Sequence, residues 1–239
     1  MKILALDSSG LVASVAILED ENLIAEYTIN YKKTHSQTLL PMLDEIIKMT
    51  DTDMQTIDAI AITKGPGSFT GLRIGSATAK GLGLALDKPI IAIPTLEGLA
   101  ANLCHVKELI CPMMDARRQQ VYTGIYKYHE NCLQTVKEQI ATGIDDILNA
   151  LNLIEQPVIF LGDGVPVYKE IIESKMEVPY SFAPVHMNRQ RAGAIGYLAF
   201  VYYKKGNIET ADAHKPDYLR LSQAERERME KEKQDNGNL

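Results

Sequence analysis

Three short apolar runs joined by tight turns precede the first helical stretch, and the same order returns in the second half of the chain. Residues 2–6 end at Asp7, 11–18 follow the turn Ser8-Ser9-Gly10, and 23–29 follow Glu19-Asp20-Glu21-Asn22. Strands joined by turns this short pair antiparallel, because a parallel pair needs a crossover of about a dozen residues. A helix over 36–50, a strand over 57–63, a helix over 70–86, a strand over 90–93 and a short helix over 96–103 complete the first half. From Leu109 the order recurs: strands over 109–114, 120–128 and 132–138, a helix over 144–151, a strand over 158–161, and helices over 165–176 and 191–204. A βββαβαβα order written twice predicts two similar α/β domains, 1–103 and 104–221, packed face to face around a cleft, a common place for ligands. Residues 222–239 carry five acidic and four basic side chains in 18. They read as a solvated, disordered tail.

Composition sets the limits on function. Lys and Arg number 25 against 31 Asp and Glu, a net charge of −6. No overall cationic field is available to hold nucleic-acid phosphates. The longest stretch free of Asp, Glu, Lys and Arg, 192–203, has 12 residues, short of the about 20 that span a bilayer. Asp7 comes too early for a signal peptide. Three cysteines, none in a CxxC pair, read as reduced thiols of a cytoplasmic protein.

The hairpin Asp7-Ser8-Ser9-Gly10 has the residues of a phosphate cradle, and equally those of an ordinary β-turn. The densest motif is Gly65-Pro66-Gly67-Ser68-Phe69-Thr70-Gly71-Leu72-Arg73. Its third glycine falls one position late for a dinucleotide fingerprint, and no Lys follows to make a P-loop. It reads as a tight turn with Ser68 or Thr70 capping the next helix. That helix, 70–86, is apolar or small over most of its circumference, wider than a surface stripe. Its glycines cost roughly 1 kcal/mol each against Ala, which close backbone approach offsets. The preceding helix carries Leu39, Leu40, Met42, Leu43, Ile46, Ile47 and Met49 over half its wheel. Whether these faces pack on one another or meet a partner is open on the wheel alone. The five histidines show no HxxxH or HExxH spacing, so no metal site is expected, and no nucleophile–base pair is legible.

Six segments together resemble the TsaB (YeaZ) family: ILALDSS at 3–9, THSQTLLPMLDEI at 34–46, TKGPGSFTGLRIG at 63–75, AKGL at 79–82, PMMDARRQQVY at 112–122 and KPDYLR at 215–220. The resemblance implies a duplicated RNase H-like, or actin/Hsp70/sugar-kinase-like, fold whose two domains each hold a mixed five-stranded sheet with flanking helices. It implies a non-catalytic scaffold that pairs with TsaD and, with TsaE, supports threonylcarbamoyl transfer to N6 of adenosine in tRNAs reading ANN codons. Alone, the chain is expected to form a homodimer. An active ATPase or kinase of the same fold is the alternative. The resemblance places the contact with TsaD, or with a second copy, on the first two helices: Leu39, Met42, Leu43, Ile46 and Met49, with Thr70, Arg73, Ile74, Ala77, Thr78 and Gly81. A vestigial nucleotide site falls to Asp7, Ser8, Ser9, Asp115, Gly162, Asp163 and Gly164. No intrinsic cofactor is implied, ATP or ADP and Mg²⁺ are expected only in the assembled complex, and tRNA only indirectly.

Overall fold

Two five-stranded sheets, each covered on both faces, build the computed structural model, which describes residues 1–220 apart from Glu21 and Asn131. The expected tail 222–239 lies outside the described residues, as do one residue of each of the turns after Glu19 and His129. The first half runs β1 (Lys2–Asp7), β2 (Ala13–Glu19), β3 (Asn22–Ile29), α1 (His35–Met49), β4 (Ala59–Gly65), α2 (Phe69–Leu86), β5 (Ile90–Pro94) and α3 (Thr95–Ala100). The second runs β6 (Leu109–Asp115), β7 (Gln120–His129), β8 (Cys132–Gly143), α4 (Ile144–Ile154), β9 (Val158–Leu161), α5 (Gly164–Lys175), β10 (Tyr180–Phe182) and α6 (Ala192–Lys204). The sheet orders are β3-β2-β1-β4-β5 and β10-β9-β6-β7-β8. In each, the meander is antiparallel and the remaining strands are parallel. This is the duplicated RNase H-like arrangement. β10 matches no strand read from the sequence; three residues are too short to show a period of two.

Alternation along β1 shows how the layers arise. Leu4 and Leu6 point to one face, where Val15, Ile17, Ile60 and Ile62 meet Leu39, Met42, Leu43 and Ile46 of α1 and Ala79 of α2. Ile3 and Ala5 point to the other, beside Ala16, Ala59, Ala61, Ile91 and Ile93. The helix on that inner face is α6, through Ile195, Leu198 and Ala199. Conversely, α3 lies on the inner face of the second sheet, with Leu96, Leu99 and Ala100 against Ile110, Met114, Tyr126, Ile159 and Leu161. Helices α4 and α5 cover its outer face. The expected boundary near 103–104 thus falls between α3 and β6, yet packing crosses it in both directions. Tyr202 of α6 donates to the Glu97 carboxylate of α3 at 2.6 Å, joining the two central helices.

The start of α6 is held by the first sheet. Arg191 at its N-cap position offers no capping side chain. Instead, Ala192 N donates to Ser14 Oγ (2.9 Å) and Gly193 N to Glu26 Oε1 (2.9 Å). Arg191 donates from Nε and Nη2 to the other oxygen of Glu26. Two of the helix's orphan donors are satisfied across the domain junction, and the carboxylate suits the positive end of the helix dipole.

After α6 the chain returns along α2. Glu209 bridges to Ile90, and Lys80 Nζ donates to the carbonyls of Asp212 and His214 (3.0 and 3.3 Å). Asp217 N then donates to Lys64 O (2.6 Å), and Arg220 Nη1 to Ala116 O (2.7 Å). The segment 207–220 is a strap from the first half to the second. All three cysteines are free, Cys111 buried and Cys104 and Cys132 exposed. No described helix is long and apolar enough to cross a membrane.

Replacing Glu26 by Ala removes a charged acceptor from three donors. Such bonds contribute about 1.5–3 kcal/mol, so Glu26→Ala is expected to lower unfolding free energy by about that amount in urea titration. A change under about 0.5 kcal/mol, the size of an ordinary surface substitution, would show that the junction does not hold α6.

Candidate functional site: an exposed helix face and an interdomain cleft

Ser68 Oγ accepts from Gly71 N (3.3 Å) and caps α2. The helix then lies directly on the β1–β2 turn. A Cβ at Gly71 would stand 2.1 Å from the Ser8 carbonyl oxygen, and one at Gly75 would stand 2.3 Å from Ser8 Oγ. Close approach therefore accounts for both glycines. Gly71, Leu72, Gly75, Ser76, Ala79 and Gly83 form the buried face.

The opposite face of α2 is open. Thr70, Arg73, Ala77 and Gly81 are exposed, with Ile74 and Thr78 half-buried beside them. All six were singled out from the sequence, and the helix brings them to one side. Leu84, 58 % exposed, and Ala85 extend that side. A Cβ at Gly81 would meet no atom of the described residues within 4 Å. Among the described residues nothing explains that glycine, unlike Gly71 and Gly75.

Helix α1 requires a correction. Leu39, Met42, Leu43 and Ile46 are 1–4 % exposed. They fill the core against β1, β2 and β4 and are not available as docking contacts. The wide apolar arc read on the wheel is explained by that packing. Of the five α1 positions only Met49, 77 % exposed, remains on the surface. Leu40, 54 % exposed, was not singled out; a wheel cannot show which edge of a broad arc its sheet covers.

The cleft between the halves is a cavity of about 620 Å³. Of the residues assigned to a vestigial nucleotide site, Ser9, Asp115 and Asp163 line it together. Asp7 and Ser8 do not; both are 1 % exposed. Asp7 Oδ1 accepts from Ser9 N (2.8 Å), Ser9 Oγ (2.7 Å) and Thr63 Oγ1 (3.1 Å), while Ser8 Oγ donates to Gly71 O (2.8 Å). The loop after β4 closes over the turn, with Ser68 N donating to Ser9 O at 2.7 Å. A cradle needs these groups turned toward a phosphate; here they are engaged with one another, and the hairpin does not fit one. Burial raises the Asp7 carboxyl above its ordinary value, against the opposing effect of its hydrogen bonds.

On the second half, Gly162 has φ +111°, and a Cβ there would lie 2.0 Å from Met113 O. Gly164, the first residue of α5, is also pressed on Met113. These glycines serve the β6–β9 junction and do not line the cavity. Asp115 Oδ1 accepts from Arg117 N (2.8 Å) and Tyr168 OH (3.0 Å). Asp163 has an unpartnered buried oxygen, and burial raises its carboxyl.

Sequence reasoning missed the rest of the cleft wall: Tyr31, Lys32, Lys33 and His35 from the β3–α1 loop, and Asp217, Tyr218 and Arg220 from the strap. Tyr218 stacks on Phe69 at 4.7 Å between centroids, and the Arg73 guanidinium lies 3.9 Å over the other ring. The KPDYLR segment was a signal for the strap, but the cleft it joins is visible only in three dimensions.

A family model described as TsaD, tRNA N6-adenosine threonylcarbamoyltransferase, matches residues 22–228. The Bacillus subtilis (strain 168) protein named tRNA threonylcarbamoyladenosine biosynthesis protein TsaB is 39 % identical over 98 % of this chain and 100 % of its own length. A tRNA N6-adenosine threonylcarbamoyltransferase of Fervidobacterium nodosum is 29 % identical over 72 % of this chain but 54 % of its own. The solved structure of YeaZ from Pseudomonas aeruginosa superposes with a TM-score of 0.76 at 26 % identity, covering 91 % of this chain and 99 % of that one. Matched end to end by TsaB and over only about half of the transferase, the chain belongs to the TsaB (YeaZ) family.

Proposed function

We propose that this chain is a non-catalytic scaffold subunit in the biosynthesis of threonylcarbamoyladenosine in tRNA. It pairs with a TsaD subunit that carries the transfer to N6 of adenosine in tRNAs reading ANN codons, and it presents a surface for TsaE. The observation that carries this is the open face of α2 from Thr70 to Ala85, and above all Gly81. An exposed glycine inside a helix costs roughly 0.5–1 kcal/mol against Ala, and here no contact among the described residues offsets that. Close approach by a partner helix does. TsaD shares the fold, because its family model matches this chain. A related helix on TsaD therefore presents similar geometry, and a second copy of this chain can occupy the same face in its absence.

The closed Asp7 hairpin supports the scaffold reading over the alternative of an ATPase or kinase. The groups that would grip a phosphate in the first half are engaged in the fold. In the assembled complex, any ATP or ADP with Mg²⁺ is then held by the partner subunits.

Co-purification with TsaD, with light scattering on the chain alone and on the mixture, tests the proposal. A heterodimer replacing a homodimer is expected. No association in any nucleotide state, with ATP turnover by the isolated chain, would overturn it. Ala77→Glu places a charge on the open face and is expected to weaken pairing at least tenfold, about 1.4 kcal/mol. The monomer's stability should stay within about 0.5 kcal/mol, as for other surface substitutions. Gly81→Ala is expected to stabilise the isolated chain by roughly 0.5–1 kcal/mol, read by thermal or urea unfolding. A destabilised variant would mean that the glycine has a role within the monomer.

The Asp7 carboxyl titrates above its ordinary 3.8 in the folded chain. Its protonation therefore favours folding at acid pH, and that contribution is lost as pH rises through the raised value. The stability difference between wild type and Asp7→Asn is expected to change over that interval and to level off above it, with the variant the more stable at neutral pH. A variant less stable than wild type at neutral pH would show that the charged form is what the fold uses.

A further inference from the structure

The chain is acidic overall, yet its acidic residues are absent from three long stretches: 27–43, 59–86 and 116–129. Between them these hold Lys32, Lys33, Lys64, Arg73, Lys80, Arg117, Arg118 and Lys127. The fold brings these stretches to the interdomain cleft, where the β3–α1 loop, the loop after β4 and the β6–β7 turn all line the cavity. Lys32, Lys33 and Arg117 line it and are exposed, and Arg118, next in the turn, is exposed as well. None of them forms an ion pair among the described residues. Three carboxylates also line the cavity, Asp115, Asp163 and Asp217, but all are half-buried, deeper than the cations.

The turn that carries the two arginines is strained. Arg117, Arg118 and Gln119 have φ of 61°, 54° and 56°, three successive side chains in the left-handed region. That conformation costs roughly 1–2 kcal/mol per residue for anything but glycine. Glycine would fit there without strain, and retained strain of this kind clusters at working sites. Beside Lys32 and Lys33, the ring of Tyr31 is 67 % exposed. Unpaired cations bordering an open aromatic ring are the elements of a single-stranded nucleic-acid surface, where phosphates meet the cations and a base stacks on the ring.

We propose that the mouth of the cleft, lined by Tyr31, Lys32, Lys33 and Arg117 and continued by the adjoining Arg118, is a direct contact for a single-stranded segment of tRNA. The choice of tRNA rests on the proposed function; the phosphate-and-stacking chemistry rests on the residues. Each phosphate contact to a single strand adds about 0.7 to the slope of log K against log salt. Two lost contacts therefore flatten it by about 1.4.

The test is tRNA binding by the complex with TsaD, across a salt series, with the double variants Lys32→Glu/Lys33→Glu and Arg117→Glu/Arg118→Glu. Affinity is expected to fall at least tenfold in each, with the flatter slope, while light scattering shows pairing unchanged. If the wild-type chain fails to pair at all, the scaffold reading fails, and tRNA binding is then read on the isolated chain. Arg117→Gly/Arg118→Gly guards against misfolding. It relieves the strained turn, so its melting temperature is expected to rise while tRNA affinity falls. Unchanged affinity and slope in the charge-reversed variants would overturn the proposal. So would variants that lose binding of free ATP while holding tRNA as wild type does, since the cations would then serve a free nucleotide.

Discussion

The small side chains on the inner face of the first sheet are the constraint on which the molecule depends. Ala5, Ala16, Ala59 and Ala61 lie where α6 packs. A Cβ at Gly196 of α6 would come within 2.1 Å of Leu18 Cδ1. Only small groups permit that approach, because interiors are close-packed and leave no room for an added methyl. Once α6 rests there, its residues belong to the core of the other half, as those of α3 do in exchange. The two halves cannot separate without exposing both inner faces. Ser14 and Glu26 complete the exchange by meeting the helix's first N–H groups, which would otherwise be buried without partners.

The same close approach recurs on the outer face. Helix α2 sits so near the β1–β2 turn that Ser8 hydrogen-bonds to its backbone. The loop before the helix in turn bonds to Ser9. A hairpin with the residues of a phosphate cradle thereby becomes a packing element. Its carboxylate is desolvated, and its hydroxyls are engaged within the chain. The helix pressed against it has its other side free. The engagement of the hairpin and the burial of one side of α2 follow from one contact.

The strap over 207–220 joins these features. It fastens to α2 at Lys80, to the end of β4 at Lys64 and to the β6–β7 turn at Ala116. The strap thus ties the β6–β7 turn, with Arg117, to the first half beside the cleft. An open surface on a rigid frame orders fewer side chains when a partner binds, which reduces the entropic cost of association.

The duplicated element order was legible because strand and helix periods are local and survive any packing. The wide apolar arcs of α1 and α2 likewise announced burial on more than one side. What covers each arc was not legible. Leu39, Met42, Leu43 and Ile46 look on a wheel like the positions that the open face of α2 turned out to hold, yet they are core, because β1, β2 and β4 stand beneath them. Gly75 and Gly81 are the same residue on the same helix. A Cβ on one would meet Ser8 and on the other no described residue, a difference set by a turn far away in the chain. The sequence by itself determined the elements other than β10, the duplicated order and the family resemblance, since these rest on local pattern and motif. Only the tertiary structure decided that α3 and α6 change places, that the hairpin is closed, and which side of α2 is open, because each depends on contacts between residues far apart in the chain.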